Sequence, residues 1–258
     1  MMSSSIEVIE RTRAYYVAAS GIMAALVFVL TSIFQITITA TKGYFNVGEI
    51  GVYISALIFG PYVGAFAGGV GSALADVATG YSIYAPGTLV IKGCEGYLAG
   101  ILLQRIKLKE RKLLPIVLGL IVALCMGVVG VLYYNSVWNF VLGIYINPSG
   151  GEDPLLDIPL LEASVSLSSI FWIIVAIVSG IAIAYAGSKI SPDISNLVVT
   201  ILIAGSIMVI GYFIYEAYIL GLGVEIALVE VPFNIGQMTV GLIVSIPIVK
   251  RLRKLLAI

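Results

Sequence analysis

The sequence predicts an all-α integral membrane protein that forms a single membrane domain over residues 1–258. Three observations predict this class: 60% of the residues are hydrophobic, only 11% are charged, and apolar runs of membrane-spanning length recur along the chain. The formal net charge is zero, which gives no electrostatic support for nucleic-acid binding. The chain has no histidine, and Cys94 and Cys125 both lie in apolar runs, so we expect neither a metal site nor a disulfide.

Eight apolar runs are candidate membrane spans. In chain order they cover residues 14–34, 48–60, 61–79, 87–104, 114–134, 166–187, 197–220 and 232–249. The first run is too long for the core of a signal peptide, so we expect it to be retained as a helix. The second run is short and is followed by Gly60-Pro61, so a re-entrant hairpin over 48–79 is the competing interpretation.

The positions of the basic residues favour eight spans, because cytoplasmic loops carry an excess of Lys and Arg. With eight spans, the basic residues that flank the spans all lie on the cytoplasmic side except Lys42. They are Arg11, Arg13, Arg105, Lys107, Lys109, Arg111, Lys112, Lys189, Lys250, Arg251, Arg253 and Lys254. If 48–60 failed to cross, the cluster at 105–112 would lie on the wrong side. We therefore expect eight helices with both termini in the cytoplasm.

The long connection at about 135–165 is predicted to be an irregular, acidic outer loop. Prolines and glycines between 148 and 154 interrupt any regular pattern. The acidic residues of this loop are Glu152, Asp153, Asp157 and Glu162. No internal repeat is evident in the chain, which weakens the case for a secondary transporter built from inverted repeats.

Small residues at four-residue spacing predict close helix packing, because helices in lipid associate where their backbones can approach. One ladder contains Gly60, Gly64 and Gly68, and a second contains Gly96 and Gly100. We expect both ladders to pack within the chain. The first helix carries a comparable stripe on its cytoplasmic half, where internal packing and docking of a separate membrane protein both remain open. Its pairs at four-residue spacing are Ala14 and Ala18, Ser20 and Ala24, and Gly21 and Ala25.

Polar residues within the predicted spans concentrate in the outer third of the membrane. Ionisable groups at such depth are costly unless they are paired or line a polar cavity, so we expect a pocket open to the outside. The set is Glu49, Asp76, Lys92, Glu95, Glu216, Glu230, Asn234 and Gln237. Lys92 and Glu95 are three residues apart on a helix and can pair, and the same spacing relates Asn234 to Gln237.

Amphipathic aromatic residues flank the predicted pocket on the outer side. Tyr44, Asn46, Tyr81 and Tyr84 lie in the outer connections, where they could stack on a ring-bearing ligand and orient it. An interfacial aromatic belt is the alternative. The mixture of acidic, basic and amide groups suits a zwitterionic or many-hydroxyl molecule.

Four sequence blocks resemble the substrate-binding S components of energy-coupling factor (ECF) vitamin transporters, in particular the riboflavin-transporter type. The blocks are YFNVGEIGVYISALIFGP, GAFAGGVGSALADVATGYSIYAPGTLVIKGCEG, YFIYEAYILG and VEVPFNIGQMTVG, within the regions 14–104 and 197–250. The resemblance implies a six-helix bundle with a ligand pocket near its extracellular face. It also implies a protein without enzymatic activity or cofactor that docks on a transmembrane coupling protein driven by two ATPase subunits.

The resemblance assigns roles to particular positions. The loop 39–47 would close over the pocket, and the stripe from Ala14 to Ala25 would dock on the coupling protein. The pocket residues of the later helices would be Lys92, Glu95, Glu216, Asn234 and Gln237. Residues 107–190 would be an insertion of two helices and the acidic outer loop between the fourth and fifth helices of the family.

We therefore expect a binding subunit that is embedded in the lipid of the cell membrane and binds a vitamin or related micronutrient with high affinity. Uptake of that ligand would be energised by ATPase partners. The chain has no P-loop, which is consistent with energy supplied by other subunits. One alternative is a stand-alone ion-coupled transporter with Glu216 or Asp76 as its proton site. The other is an intramembrane enzyme using Asp76 and Glu95, against which stands the lack of a nucleophile–base set.

Overall fold

The structure is a computed structural model that describes residues 2–38, 40–106, 113–133, 136–146, 156–189 and 191–256. Its helices are α1 (Met2–Ile33), α2 (Glu49–Phe59), α3 (Pro61–Phe66), α4 (Ser72–Ala78), α5 (Ala85–Arg105), α6 (Leu113–Tyr133), α7 (Ser169–Lys189), α8 (Pro192–Ile214) and α9 (Val224–Leu256). Two π-helical turns join them, Ala67–Gly71 between α3 and α4 and Tyr215–Ile219 after α8. Some predicted positions lie outside the described residues, namely residue 39, Lys107, Lys109, Arg111, Lys112, Glu152 and Asp153.

Every predicted apolar run coincides with helical structure, so the helical, membrane-embedded class is confirmed. Three helical stretches of the described residues are long and apolar enough to cross a membrane: Arg13–Ile33, Asp193–Ile219 and Val224–Leu255. Of the remaining runs, three form helices of 21 residues each (α5, α6 and α7), one forms the short α2, and one is divided by a π-helical turn. The total of eight crossings stays a prediction. Helix α9 is continuous from Val224 to Leu256 although it contains Pro232 and Pro247.

Helix α2 is short because a glycine ends it. Its 11 residues extend about 16 Å, which is about half of a hydrocarbon core. Gly60 then adopts a φ of 92°, a conformation that only glycine takes readily, and Pro61 begins α3. Glu49 contacts Lys92 at the start of α2, and Gly60 lies beside Gly100 at its end. Helix α2 therefore runs alongside α5 between Lys92 and Gly100.

The two glycine ladders pack against each other inside the chain, as predicted. A Cβ atom on Gly64 would lie 2.7 Å from the carbonyl oxygen of Gly96 on α5. A Cβ atom on Gly68 would lie equally close, at 2.7 Å, to the carbonyl oxygen of Lys92. Real Cβ contacts are longer, so only glycine permits this approach of the two backbones. The contact fixes α5, and with it Lys92, against the helix that carries Asp76.

Two antiparallel strand pairs accompany the helices, so the described structure is mostly rather than entirely helical. Strands β1 (Gln35–Ile38) and β2 (Gly43–Asn46) form a hairpin after α1, which we call the lid hairpin. Strands β3 (Ser136–Ile146) and β4 (Leu156–Leu167) pair where an irregular loop was predicted, so that prediction is wrong for these residues. The segment SVWNFVLGIYI is rich in β-branched and aromatic residues, which favour strands.

The segment 107–190 packs on the rest of the protein through two surfaces. Helices α6 and α7 lie against each other, with Gly130 facing the ring of the buried Trp172, and α6 also contacts α8 and α9. Strand β3 contacts α1 and strand β1 of the lid hairpin. The hydrophobic core of the bundle includes residues of α1, α2, α3, α5, α8 and α9, and Tyr53, Met208 and Met238 are fully buried in it.

Candidate ligand-binding site

Polar residues from the lid hairpin and from α1, α4, α5, α8 and α9 enclose one small cavity. Its lining residues are Thr31, Gly43, Tyr44, Asn46, Ser72, Asp76, Tyr84, Thr88, Lys92, Tyr212, Glu230, Asn234 and Gln237. Its volume is about 20 Å³, room for about one water molecule. Polar side chains therefore converge at one point that the fold closes off.

The lid hairpin closes the cavity through Tyr44. The hydroxyl of Tyr44 donates a hydrogen bond to Oδ1 of Asp76 at 2.5 Å, and its ring lies 4.3 Å from the ring of Tyr81. A Cβ atom on Gly43 would lie 2.7 Å from Oε2 of Glu230, so glycine at this position lets the hairpin approach α9. The hairpin is thus attached to α4 and α9 by contacts with acidic side chains.

A second tyrosine holds the tip of the lid hairpin. The hydroxyl of Tyr84, at the start of α5, donates a hydrogen bond to the carbonyl oxygen of Thr41 at 2.7 Å. Its ring lies 6.4 Å from the ring of Tyr215, whose hydroxyl donates to the carbonyl oxygen of Ile83. Tyr84 is only 3% exposed, so this contact is enclosed by protein.

The ammonium group of Lys92 is held by two carboxyl groups. It forms an ion pair with Glu49 at the start of α2 and lies 3.7 Å from Oε2 of Glu95, one turn further along α5. The hydroxyl of Tyr53 donates to Oε1 of Glu95 at 2.7 Å. Lys92 is 3% exposed and both glutamates are fully buried. A buried charge requires such partners, because leaving it unpaired costs several kcal/mol.

The remaining polar groups lie on α9 and on the π-helical turn that precedes it. Glu216 and Glu230 are buried beside each other, and Glu230 faces the cavity while Glu216 lies behind it. Nε2 of Gln237 donates to Oδ1 of Asn234 at 3.0 Å, as their spacing predicts. π-Helical turns are frequent at functional sites, and both turns of this structure lie next to acidic residues of the cluster.

The structure brings most of the predicted site residues together. Those that line the cavity are Tyr44, Asn46, Asp76, Tyr84, Lys92, Glu230, Asn234 and Gln237. Glu49, Glu95 and Glu216 lie behind these residues and contact Lys92 or Glu230 instead. Tyr81 supports the ring of Tyr44.

Sequence reasoning missed five residues that line the cavity: Thr31, Gly43, Ser72, Thr88 and Tyr212. A helical signal was available for two of them. Ser72 lies four residues before Asp76 and Thr88 four residues before Lys92, so each shares a helix face with a predicted site residue. Thr31, Gly43 and Tyr212 gave no such signal.

Comparison with protein families identifies the chain. The sequence model of the family described as "ECF-type riboflavin transporter, S component" matches residues 12–152 and 163–254, which is most of the chain. The chain belongs to this family. It is accordingly a multi-pass protein of the cell membrane and a transporter subunit. The match also includes most of the segment 107–190.

Two curated proteins are similar to this S component. An uncharacterized protein in the gap 3'region of Pyrococcus woesei is 45% identical over 132 residues, which are 46% of this chain and 88% of that protein. The thiamine precursor transporter HmpT of Lactococcus lactis subsp. cremoris is 35% identical over 82 residues, which are 31% of this chain and 49% of that protein. The chain thus matches about half the length of the lactococcal transporter. No solved structure gives a significant match.

Most of the small-residue stripe of α1 lies on the surface of this S component. Ala14, Ala18, Gly21 and Ala25 are all exposed, whereas the neighbouring Ala24 is buried in the bundle. A Cβ atom on Gly21 would have no neighbour within 4 Å. Of the two interpretations open from the sequence, internal packing therefore describes Ala24 but not the four exposed residues. Its surface is available to lipid or to another membrane protein.

Proposed function

We propose that this S component is the membrane-embedded binding subunit for uptake of a vitamin or vitamin precursor. The observation that carries the proposal is the convergence of polar and aromatic side chains from five helices on one cavity under the lid hairpin. A transport subunit needs such a site to select its ligand, and concave sites with a few convergent polar groups are the usual binding sites. The family and the thiamine precursor transporter support the vitamin class.

Binding is coupled to movement of the lid hairpin in this proposal. A cavity of about 20 Å³ cannot hold a vitamin. Tyr44 occupies the space beside Asp76 and belongs to the hairpin, so a ligand that enters must displace it. In the proposed orientation both termini lie in the cytoplasm and the hairpin faces outside. The ligand then enters from outside and replaces the contact between Tyr44 and Asp76.

Energy for transport comes from partner subunits in this proposal. The stripe Ala14, Ala18, Gly21 and Ala25 docks on a transmembrane coupling protein, which two ATPase subunits drive. Close approach of helices at small residues is the usual basis of helix association in lipid, and the exposure of this stripe supports its role. The ATPase cycle reorients the bundle so that the cavity opens toward the cytoplasm.

Co-purification with and without a bulky residue on α1 tests the proposal. We expect the coupling protein and ATPase subunits to co-purify with the native chain when the proteins are expressed together. Gly21→Trp should reduce their recovery about tenfold or more, because a large side chain separates the helices by several ångströms. Leu124→Trp is the matched control, since Leu124 is 66% exposed on α6, away from α1. It should leave recovery unchanged.

Two outcomes would contradict the proposal. Equal recovery of the partner subunits with both tryptophan variants would remove the docking role of the α1 stripe. Robust uptake by this protein alone in vesicles would favour the stand-alone ion-coupled transporter instead, with Glu216 or Asp76 as its proton site. We propose no catalytic role for the chain.

A further inference from the structure

We propose that the cavity selects a ligand that donates hydrogen bonds and carries positive charge or none, such as an amino-substituted heteroaromatic ring, and rejects carboxylates and phosphates. This inference rests on the proposed function, since it names the class of ligand for the same site. It differs from what the sequence suggested. There the presence of Lys92 among acidic and amide residues favoured a zwitterionic or many-hydroxyl molecule.

The charges of the site are unbalanced. The buried charged residues in the described part of the chain are five acidic residues and a single lysine. They are Glu49, Asp76, Lys92, Glu95, Glu216 and Glu230. The lysine is already paired with Glu49 and Glu95. Its charge is therefore balanced within the protein, and the acidic groups that line the cavity, Asp76 and Glu230, set the sign of the cavity.

The hydrogen-bonding groups of the cavity are also unbalanced. Five cavity-lining side-chain atoms are buried and have no hydrogen-bond partner: Oδ2 of Asp76, Oε2 of Glu230, Oε1 of Gln237, Oγ1 of Thr31 and Nζ of Lys92. Three of them are acceptors on residues at most 4% exposed, whereas the hydroxyl of Thr31 can also donate and Nζ of Lys92 is ion-paired with Glu49 and Glu95. Buried acceptors without a donor cost free energy, and a charged acceptor costs more than a neutral one. A ligand with several N–H or O–H groups supplies the missing donors.

The tyrosines that line the cavity can contact a ligand mainly through their ring faces, because their hydroxyl groups are already hydrogen-bonded. The hydroxyl of Tyr84 is engaged by the carbonyl oxygen of Thr41, and that of Tyr212 by Thr88 at 2.9 Å. The ring of Tyr212 already lies 5.6 Å below the ammonium of Lys92. Such rings attract cations and stack on flat heterocycles. They therefore favour the same class of ligand as the unpartnered acceptors.

An anionic ligand meets the opposite situation. Its carboxylate or phosphate would lie beside Asp76 and Glu230 in an enclosed site, where like charges repel strongly. The nearest positive charge is that of Lys92, and Glu49 and Glu95 already balance it, so an anion in the cavity would add a further negative charge to an acidic cluster. The site therefore discriminates against anions by charge as well as by hydrogen bonding.

A panel of vitamins and precursors sorted by charge tests the inference. Binding to the purified, detergent-solubilised protein is measured as a shift of the melting temperature and by calorimetry. The amine-bearing probes are thiamine, its aminopyrimidine precursor and pyridoxamine; riboflavin is neutral; pyridoxic acid, biotin, pantothenate and flavin mononucleotide are anionic. We expect at least one amine-bearing probe to bind and no anionic probe to do so. Pyridoxamine and pyridoxic acid share a ring, so their comparison isolates the charge.

Variants identify the groups that are responsible. Asp76→Asn and Glu230→Gln should each weaken the tightest amine-bearing probe about 10- to 100-fold, the worth of a hydrogen bond to a charged group. Glu225→Gln is the matched control, because Glu225 is an exposed carboxylate near the start of α9. It should leave the affinity unchanged. Two variants are used so that a folding defect in one still leaves a reading from the other.

The outcomes separate this inference from the proposed function. Tighter binding of an anionic probe, failure of riboflavin and of every amine-bearing probe, or unchanged affinity in both variants would overturn the ligand class. Co-purification of the coupling and ATPase subunits would still support the transport role in each of those cases. Uptake by this protein alone would overturn the transport role, whichever probe binds.

Discussion

Replacing Lys92 by methionine is expected to lower the free energy of unfolding by about 3–5 kcal/mol, because the change leaves buried carboxyl groups without a counter-charge. Glu49 and Glu95 are both fully buried and both contact the ammonium group. Methionine keeps the length of the side chain and most of its apolar contacts. The decrease in the free energy of unfolding therefore reflects mainly the missing ammonium charge. Unfolding of the detergent-solubilised protein, followed by far-UV circular dichroism, measures the change.

Two further variants make the result specific. Lys250→Met removes an exposed lysine near the end of α9 and should change stability by less than about 0.5 kcal/mol. The triple variant Lys92→Met, Glu49→Gln and Glu95→Gln should recover most of the lost stability, since removal of a whole buried ion cluster is often close to neutral. A loss below about 1 kcal/mol in Lys92→Met would show that the ammonium is not needed to hold the two glutamates.

The same cluster explains why the site differs from the expectation based on sequence. The three-residue spacing of Lys92 and Glu95 predicted their contact, because neighbours on a helix face follow from local geometry. The contact with Glu49 was not predictable in this way, since Glu49 is on another helix and is distant in sequence. Only the tertiary arrangement shows that Lys92 is paired with Glu49 and that Asp76 faces the cavity.

The positions of the helices could be predicted because lipid imposes a strong pattern on the sequence. An apolar run coincided with each of the described helices. The expected depth of each polar residue in the membrane followed from the rise along a helix. Convergence of Asp76, Glu230 and Asn234 on one cavity therefore agrees with their common predicted depth. The glycine ladders were equally informative, because small residues at helix contacts serve few purposes other than close packing.

The strands were harder to predict because their signals are short and compete with stronger ones. In the segment β3–β4 the prolines and glycines between 148 and 154 outweighed the β-branched and aromatic residues on both sides. The lid hairpin has only four residues in each strand. Its position depends on contacts that no local pattern reveals, such as those of Tyr44 with Asp76 and of Tyr84 with Thr41.

Gly96→Ala is expected to destabilise the protein by about 2–3 kcal/mol, toward the upper end of the range for an overpacked interior. A Cβ atom on Gly96 would collide with the carbonyl oxygen of Gly64 and would lie 3.1 Å from the backbone nitrogen of Ala65. Both are backbone atoms of α3, which cannot turn aside as a flexible side chain would. The helices must separate, and Lys92 on the preceding turn of α5 then moves away from Glu49.

Gly93→Ala is the matched control, on the same helix and less than one turn away. Its Cβ atom would lie 3.6 Å from the carbonyl oxygen of Ala65, an ordinary van der Waals contact. This variant should therefore be neutral or slightly stabilising, because alanine favours helix more than glycine does. The two unfolding energies, measured together with binding of the tightest probe, separate packing from helix propensity. Equal effects of the two alanines would mean that the close approach of α3 and α5 does not hold the site in place.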